Sequence, residues 1–195
     1  MAPPLTRRGW EGLEYPAGRG HGEEFCHDSL DAGAAALKMY HARLAMPFGV
    51  LGILTESECL TGIDFLPDET LPLPAQTPLA QEICAQLRAY LAEPNFCFDL
   101  PLQPHGTPYQ HRVWQVLLEI PSGRTESYGV LAKHLGSAAR AVGQACGANP
   151  IPVIIPCHRV LAKAGLGGFM NHTTGSPLQV KRWLLEHEHA LRPAG

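Results

Sequence analysis

Proline is the feature that most restricts how this chain folds, because its ring fixes φ and removes a backbone donor. Four prolines interrupt residues 67–78, a pattern that predicts a linker running over the surface. A second cluster, Pro101 and Pro104 followed by Gly106, favours a domain boundary within the 195 residues. These breaks, with the composition of the first residues, predict three parts: residues 1–33, 34–104 and 105–195.

The first two parts differ in their apolar pattern. Residues 1–33 are rich in glycine, proline and charge without an apolar period, which predicts a disordered tail. Residues 41–66 hold short apolar runs on either side of a polar turn at 56–58, which predicts an antiparallel meander. Apolar side chains then recur at helical spacing from Leu79 to Leu91. Residues 96–98 are a candidate for one further strand.

The third part is predicted to be mostly helical. Thr107 and Pro108 are a good N-cap and first residue for a helix that runs to Ile120. Two shorter helices, over 127–135 and 138–147, follow on either side of Gly136 and Ser137, and Ser137 is the predicted cap of the second. Such a pair resembles a helix-turn-helix. The predicted class is therefore α/β, a small N-terminal antiparallel sheet with a helix before a mostly helical C-terminal domain.

The second helix of this pair consists mainly of small residues, so its backbone can approach a partner closely. Arg140 is its one long basic side chain. The small residues beside it are Ala139, Ala141 and Gly143. The alternative interpretation is two packed helices with a solvated arginine.

Charge is distributed unevenly along the chain, although the net charge is only −3. Residues 1–104 carry 6 basic and 14 acidic side chains, whereas residues 105–195 carry 9 and 4. The second half would therefore bind a polyanion, unless the asymmetry is ordinary surface variation. No apolar run reaches the ~18 residues of a membrane span, and no secretory signal is visible. We therefore expect a cytoplasmic protein with reduced cysteines and no membrane partner.

Cys157 is followed directly by His158, after a β-branched run interrupted by three prolines. The run predicts an extended, buried segment over 149–160. A thiol beside a base is a candidate nucleophile, because the thiolate is the reactive form. The alternative is a buried structural cysteine, since a Cys-His pair alone is weak evidence.

Several motifs in this order resemble the O6-alkylguanine-DNA alkyltransferases, also called methylated-DNA–protein-cysteine methyltransferases. The resemblance runs from about residue 107 to 189 and extends more weakly back to residue 41. The motifs that carry it are Arg140-Ala141-Val142-Gly143, Asn149-Pro150, Pro156-Cys157-His158-Arg159-Val160, Gly167-Gly168-Phe169 and Lys181 to Glu188.

The resemblance implies direct repair of double-stranded DNA without a cofactor. Cys157 would take the alkyl group from O6-alkylguanine, and also from O4-alkylthymine, once and irreversibly. His158 would take the thiol proton through a bridging water, and Glu188 would orient His158. Asn149 would brace the turn before Cys157.

The same resemblance implies how the damaged base is reached. The base would leave the stack, because a buried thiol cannot reach it there. Arg140 would replace it, while the small residues of its helix lie in the minor groove. Tyr128 would offer its hydroxyl to the guanine and press on the DNA backbone. The alkyl pocket would be walled by Phe169, Met170 and Asn171.

The chain departs from the family at two places. Some members bind zinc in the N-terminal domain, but Thr61 stands near Cys59 in place of a histidine. We therefore predict no metal. Residues 170–177 form a longer loop than in mammalian relatives. The resemblance further implies a monomer, nucleoid-associated in a bacterium or nuclear in a eukaryote.

Two rival functions stay open from the residues alone. One is a non-catalytic protein that recognises alkylated DNA, although such relatives replace the reactive cysteine. The other is an acyl-transferring Cys-His hydrolase, which would need an oxyanion hole. Three further side chains are given structural roles: Arg159 in an ion pair or as a cap, Trp183 in the core and Cys146 as a small packing residue.

Overall fold

A computed structural model describes residues 39–191 of the chain. The predicted tail over residues 1–33 lies outside the described residues. Within residues 39–191, no helix is long and apolar enough to cross a membrane.

The predicted meander is confirmed as a three-stranded antiparallel sheet in the order β1-β2-β3. Its strands are β1 (Ala42–Met46), β2 (Gly49–Glu56) and β3 (Cys59–Leu66). Ser57 and Glu58 form the turn between β2 and β3 and both have positive φ, at 47° and 62°. Positive φ at both central residues is the twist that a two-residue hairpin favours. Side chains on one face of the sheet, such as Leu51 and Ile53, are fully buried.

Helix α1 (Pro78–Ala92) confirms the helix predicted over 79–91, and Thr77 caps its first turn. The strand proposed at residues 96–98 is wrong. The rings of Phe96 and Phe98 pack together, and Phe98 packs on Tyr90 of α1 with centroids 5.5 Å apart. Nearby, the Gln86 side chain bonds both backbone groups of Asp99, so this stretch is held by a side chain instead of a neighbouring strand.

Helix α2 (Pro108–Leu118) begins as predicted, with a capping box between Thr107 and Gln110. It ends two residues before the predicted end at Ile120. The buried Trp114 of α2 donates from Nε1 to the carbonyl of Ala145 over 2.8 Å. This bond holds α2 against the end of the helix that carries Arg140.

The predicted pair of short helices is present as α3 (Tyr128–His134) and α4 (Ala139–Gly147). Gly136 turns the chain between them with φ of 59°. The predicted cap at Ser137 is wrong, because Ala138 holds the N-cap position without a side-chain bond. The Ser137 hydroxyl instead bonds the Tyr109 hydroxyl of α2 at 2.8 Å.

The last elements join the C-terminal part to the rest of the core. Strand β4 (Glu126–Ser127) pairs in parallel with β5 (Val160–Leu161), and α5 (Ser176–His187) follows. Strand β3 bonds both sides of the predicted boundary: Leu60 donates to Pro101, and Ile63 donates to Pro150, each over 2.8 Å. Buried side chains of the sheet and of the helices form one cluster. The division at residues 104 and 105 stays a prediction.

Candidate active site

The segment before Cys157 is buried as predicted, but it is not extended. It forms turns, with Val153 at φ of 74° and Ile155 donating to Ile151 over 2.9 Å. The first turn is closed by the Asn149 side chain, whose Oδ1 accepts a hydrogen bond from the Ile151 backbone over 3.1 Å. The turns end in one turn of 3-10 helix, Cys157–Arg159. A side-chain-to-backbone bond of this kind competes with extended structure, which the β-branched pattern did not reveal.

Cys157 lies at the C-terminal end of this segment, and 2% of its surface is exposed. Asn149 donates from Nδ2 both to its Sγ, over 3.3 Å, and to the Ile155 carbonyl, over 2.8 Å. Asn149 therefore contacts the turn and the thiol at once. Burial raises the pKa of Cys157, while the Asn149 bond and the Lys181 charge act in the opposite direction. The resting sulfur is therefore a thiol that needs a base.

His158 is fully buried beside this thiol in the chain, and its Nε2 lies 2.9 Å from Oε1 of Glu188. A carboxylate only accepts, so the Nε2 atom carries the proton. The other ring nitrogen, Nδ1, is buried and makes no hydrogen bond to any of residues 39–191. Burial lowers the pKa of His158, although the Glu188 carboxylate opposes this effect. The arrangement leaves a neutral imidazole with Nδ1 free to accept a proton.

Glu188 follows α5 at its C-cap and is 2% exposed. Arg159 donates to both of its oxygens, from Nε to Oε2 and from Nη2 to Oε1, each over 2.9 Å. Burial alone would raise the pKa of Glu188, but the bonds and charges of His158 and Arg159 outweigh burial and lower it to about 2. Of the two predicted roles of Arg159, ion pair or cap, these bonds have the geometry of the ion pair. The neighbouring carboxylate of Glu186, two residues earlier, lies instead 3.9 Å from Arg182.

Lys181 is a buried cation at this site to which neither its motif nor the family resemblance assigned a role. Its Nζ donates to the carbonyls of Val160, Leu166 and Gly168 over 2.6, 2.7 and 3.0 Å. Burial lowers its pKa to about 8, whereas a negative charge on the neighbouring Cys157 or Cys146 acts in the opposite direction. Helical spacing could have signalled its burial, because Lys181 lies on the same face as Leu184 and Glu188.

Tyr128, the first residue of α3, lies between α4 and the loop that follows β5. The ring packs on the backbone of two glycines: a methyl group added at Gly143 would be in van der Waals contact with it, and one added at Gly167 would clash with it. Its hydroxyl donates to the Gly168 carbonyl over 3.3 Å. Burial is the main cause that raises the pKa of Tyr128, and negative charge on the nearby Cys146 or Cys157 would raise it further. The hydroxyl therefore stays protonated and available as a donor.

The predicted small residues of α4 and its arginine differ in solvent exposure. Ala139 and Arg140 are exposed, while Ala141 and Gly143 are half-buried. The opposite face is packed in the core through Val142, Ala145 and Cys146. Cys146 has the burial expected of a packing residue.

The predicted pocket wall is a tight turn. Phe169 and His172 exchange backbone bonds of 2.8 and 2.9 Å around Met170 and Asn171, whose φ values are 49° and 61°. Phe169 is buried against Phe65 of β3, with ring centroids 6.0 Å apart. The Asn171 amide occupies the space beside Gly147 at the end of α4. The loop is thus held by both the sheet and α4.

The two residues considered for zinc do not join a ligand cluster in the described part of the chain. Residues 39–191 contain no group of three or more potential ligands placed to hold a metal. The Thr61 hydroxyl instead donates to the Leu54 carbonyl over 3.3 Å. The absence of a metal from the whole chain stays a prediction.

Comparisons with known proteins agree with this geometry. Residues 108–190 match the family model of the 6-O-methylguanine DNA methyltransferase DNA-binding domain. The methylated-DNA–protein-cysteine methyltransferase of Haemophilus influenzae is 39% identical over 159 residues, covering 77% of this chain and 86% of that protein. The Mycobacterium bovis protein of the same name is 40% identical over 166 residues, covering 80% and 96%.

Solved structures give the same result. The crystal structure of Mycobacterium tuberculosis O6-methylguanine methyltransferase has a TM-score of 0.62 at 36% identity, and the match covers 80% of this chain and 97% of that one. A structure of the same organism's protein in complex with DNA also has a TM-score of 0.62 at 36% identity, covering 76% and 91%. Sequence identity over most of both chains, the shared fold and the buried Cys157 site together place this chain in the methylated-DNA–protein-cysteine methyltransferase family.

Proposed function

We propose that this chain repairs alkylated DNA by moving the alkyl group from O6 of guanine, or O4 of thymine, to Cys157. The observation that carries the proposal is the buried Cys157 thiol beside a neutral His158 that Glu188 holds in one tautomer. In the reaction the sulfur attacks the alkyl carbon, the carbon–oxygen bond breaks and a thioether forms. The electron pair of the broken bond leaves with the guanine.

His158 is the base in this proposal. Its Nδ1 accepts the Cys157 proton through a bridging water, while Nε2 keeps its bond to Glu188. The proton transfer is needed because burial raises the pKa of the thiol. Asn149 and Lys181 favour the thiolate as it forms, through a hydrogen bond and a positive charge respectively.

Tyr128 is the donor to the departing base. The hydroxyl that now bonds the Gly168 carbonyl turns toward the guanine and gives it a proton, so that the base leaves neutral. The phenolate then regains a proton from the His158 imidazolium through water, so that the Cys157 proton balances the one carried away by the base. Phe169, Met170 and Asn171 line the alkyl pocket in this arrangement. The pocket is supported by the positions of Phe169 against the sheet and of Asn171 against Gly147.

Double-stranded DNA is the proposed partner, with α4 in the minor groove. The exposed Arg140 side chain fills the gap left by the flipped nucleotide and offsets part of the unstacking cost. The half-buried Ala141 and Gly143 permit a close backbone approach. The protein acts as a monomer, in the cytoplasm of a bacterium, where it associates with the nucleoid, or in a eukaryotic nucleus.

Intact mass after incubation with an O6-methylguanine duplex tests the reaction. Transfer adds about 14 Da, the mass of a methyl group replacing a hydrogen. The Cys157→Ser variant should keep DNA binding in a gel-shift assay but gain no mass. Cys146→Ser is the matched control, since this second buried thiol should be dispensable for transfer.

The alternative, non-catalytic recognition of alkylated DNA, predicts a different pattern. Wild type and Cys157→Ser would then bind the duplex equally, and neither would gain mass. Titration of repaired guanine against protein separates a single-use acceptor from an enzyme that turns over. Repair should stop at one equivalent, because none of the site residues removes an alkyl carbon from a thioether.

A further inference from the structure

The Glu188 carboxylate receives one hydrogen bond from the N-terminal side of the molecule. Tyr90 lies in the last turn of α1, and its hydroxyl donates to Oε1 of Glu188 over 2.8 Å. The same oxygen lies 2.9 Å from Nε2 of His158. Tyr90 and His158 therefore donate to one carboxylate oxygen, which also accepts from Nη2 of Arg159, although Tyr90 is far from the other two in sequence.

Packing on every side fixes the position of the Tyr90 hydroxyl. Tyr90 is 1% exposed, and its ring lies 5.5 Å from that of Phe98 and 5.0 Å from that of His187. A second bond joins the same elements, because His187 donates from Nε2 to the Tyr90 carbonyl over 2.9 Å. The end of α1 is thus attached to the end of α5 at the residue next to Glu188.

We propose that Tyr90 is a positioning residue for alkyl transfer, which acts through Glu188 on the orientation and basicity of His158. This inference rests on the proposed function, because it adds a fourth member to the Cys157 relay. Helix α1 then completes the site, and the N-terminal sheet-and-helix region has a part in the chemistry without touching the substrate.

The physical reason lies in competition for one oxygen. A donor to the ionised carboxylate stabilises the charge and makes the oxygen less basic. The Tyr90 bond therefore weakens the pull of Glu188 on the Nε2 proton and keeps the imidazole a suitable base near neutral pH. Other charged or titratable groups face the His158–Glu188 pair from the 3-10 turn and α5: Cys157, Arg159, Lys181 and His187.

Tyr90→Phe tests this inference, because it removes the hydroxyl and keeps the ring. We expect the single-turnover rate constant with an O6-methylguanine duplex to fall about 3- to 30-fold, with DNA affinity unchanged. Without the Tyr90 donor, Glu188 becomes more basic and His158 holds its proton to higher pH. The acidic limb of the rate profile should therefore move upward, by about half a pH unit or more.

Tyr40→Phe is the matched control. The Tyr40 hydroxyl also donates to a carboxylate, Oδ2 of Asp64 in β3, over 2.9 Å, and the proposed transfer gives neither residue a role. This variant should keep the wild-type rate and pH profile. A melting curve of each variant checks that it is folded at the assay temperature.

A double-mutant cycle tests whether Tyr90 acts through Glu188. In a Glu188→Gln background, Tyr90→Phe should cause little further loss of rate. Fully additive losses would overturn the inference, as would a Tyr90→Phe rate profile that does not move along the pH axis. If the wild type itself gains no methyl group, the proposed function fails; if it does and Tyr90→Phe equals it in rate and profile, only this inference fails.

Discussion

Replacing Glu188 by glutamine should destabilise the protein in a way that depends on pH. Glutamine keeps the size of the side chain but removes the charge that Arg159 and His158 share. The pKa of Glu188 is lowered from an ordinary 4.5 to about 2, and the side chain is fully buried. At about 1.4 kcal/mol per pKa unit, the gap corresponds to about 3 kcal/mol. Breaking a buried pair costs about 3–5 kcal/mol, which is the same order.

The sign of the pH dependence follows from the direction of the shift. An acid whose pKa is lowered by folding contributes its stability above the unfolded value, and loses it as the pH falls toward the folded value. Urea unfolding should therefore show a free energy of unfolding about 3 kcal/mol smaller for Glu188→Gln than for wild type at neutral pH. The difference should narrow as the pH falls from 4.5 toward about 2, as far as the wild type stays folded.

Glu186→Gln provides the control for this prediction. The Glu186 side chain is 28% exposed, and its carboxylate lies 3.9 Å from Arg182 in a pair four residues apart. Pairs of this kind contribute about 0.3–0.5 kcal/mol, so this variant should unfold almost as the wild type does. A Glu188→Gln deficit that is equal at neutral and acidic pH would refute the assignment of the stability to an ionised carboxylate.

Three further predictions concern the DNA-facing helix, the pocket loop and metal binding. Arg140→Ala should slow repair of duplex DNA more than reaction with free O6-benzylguanine, or with O6-methylguanine nucleoside if the larger base does not fit; equal losses would exclude a stack-replacing role. Gly147→Ala should lower the melting temperature, because the new methyl overlaps the Asn171 amide, and should lower it less in an Asn171→Gly background, where only the backbone nitrogen of residue 171 lies close, 3.3 Å from the new methyl. Equal falls in both backgrounds would refute this account. Metal analysis of protein purified without chelator should find no stoichiometric zinc; one tightly held zinc per chain would contradict the prediction.

Local sequence signals were sufficient for most of the elements. Short apolar runs around a polar turn predicted β2 and β3, and Thr107 with Pro108 predicted the start of α2. These signals depend on backbone propensity, on the apolar period and on caps within three residues. Local prediction failed where a side chain contacts a residue distant in sequence. Ser137 bonds Tyr109 instead of capping α4, and Phe98 packs on Tyr90 instead of pairing as a strand.

The residues of the candidate site likewise divide into those that the sequence indicated and those that only the tertiary structure revealed. The order of motifs in the sequence was enough to indicate Cys157 and to recognise the family. The sequence could not show that Lys181 bonds three carbonyls of β5 and the loop after it, or that Tyr90 shares the carboxylate of Glu188. Such contacts join residues up to 98 positions apart. They exist only once burial has removed water and left each polar group with the partners that the fold places within hydrogen-bonding distance.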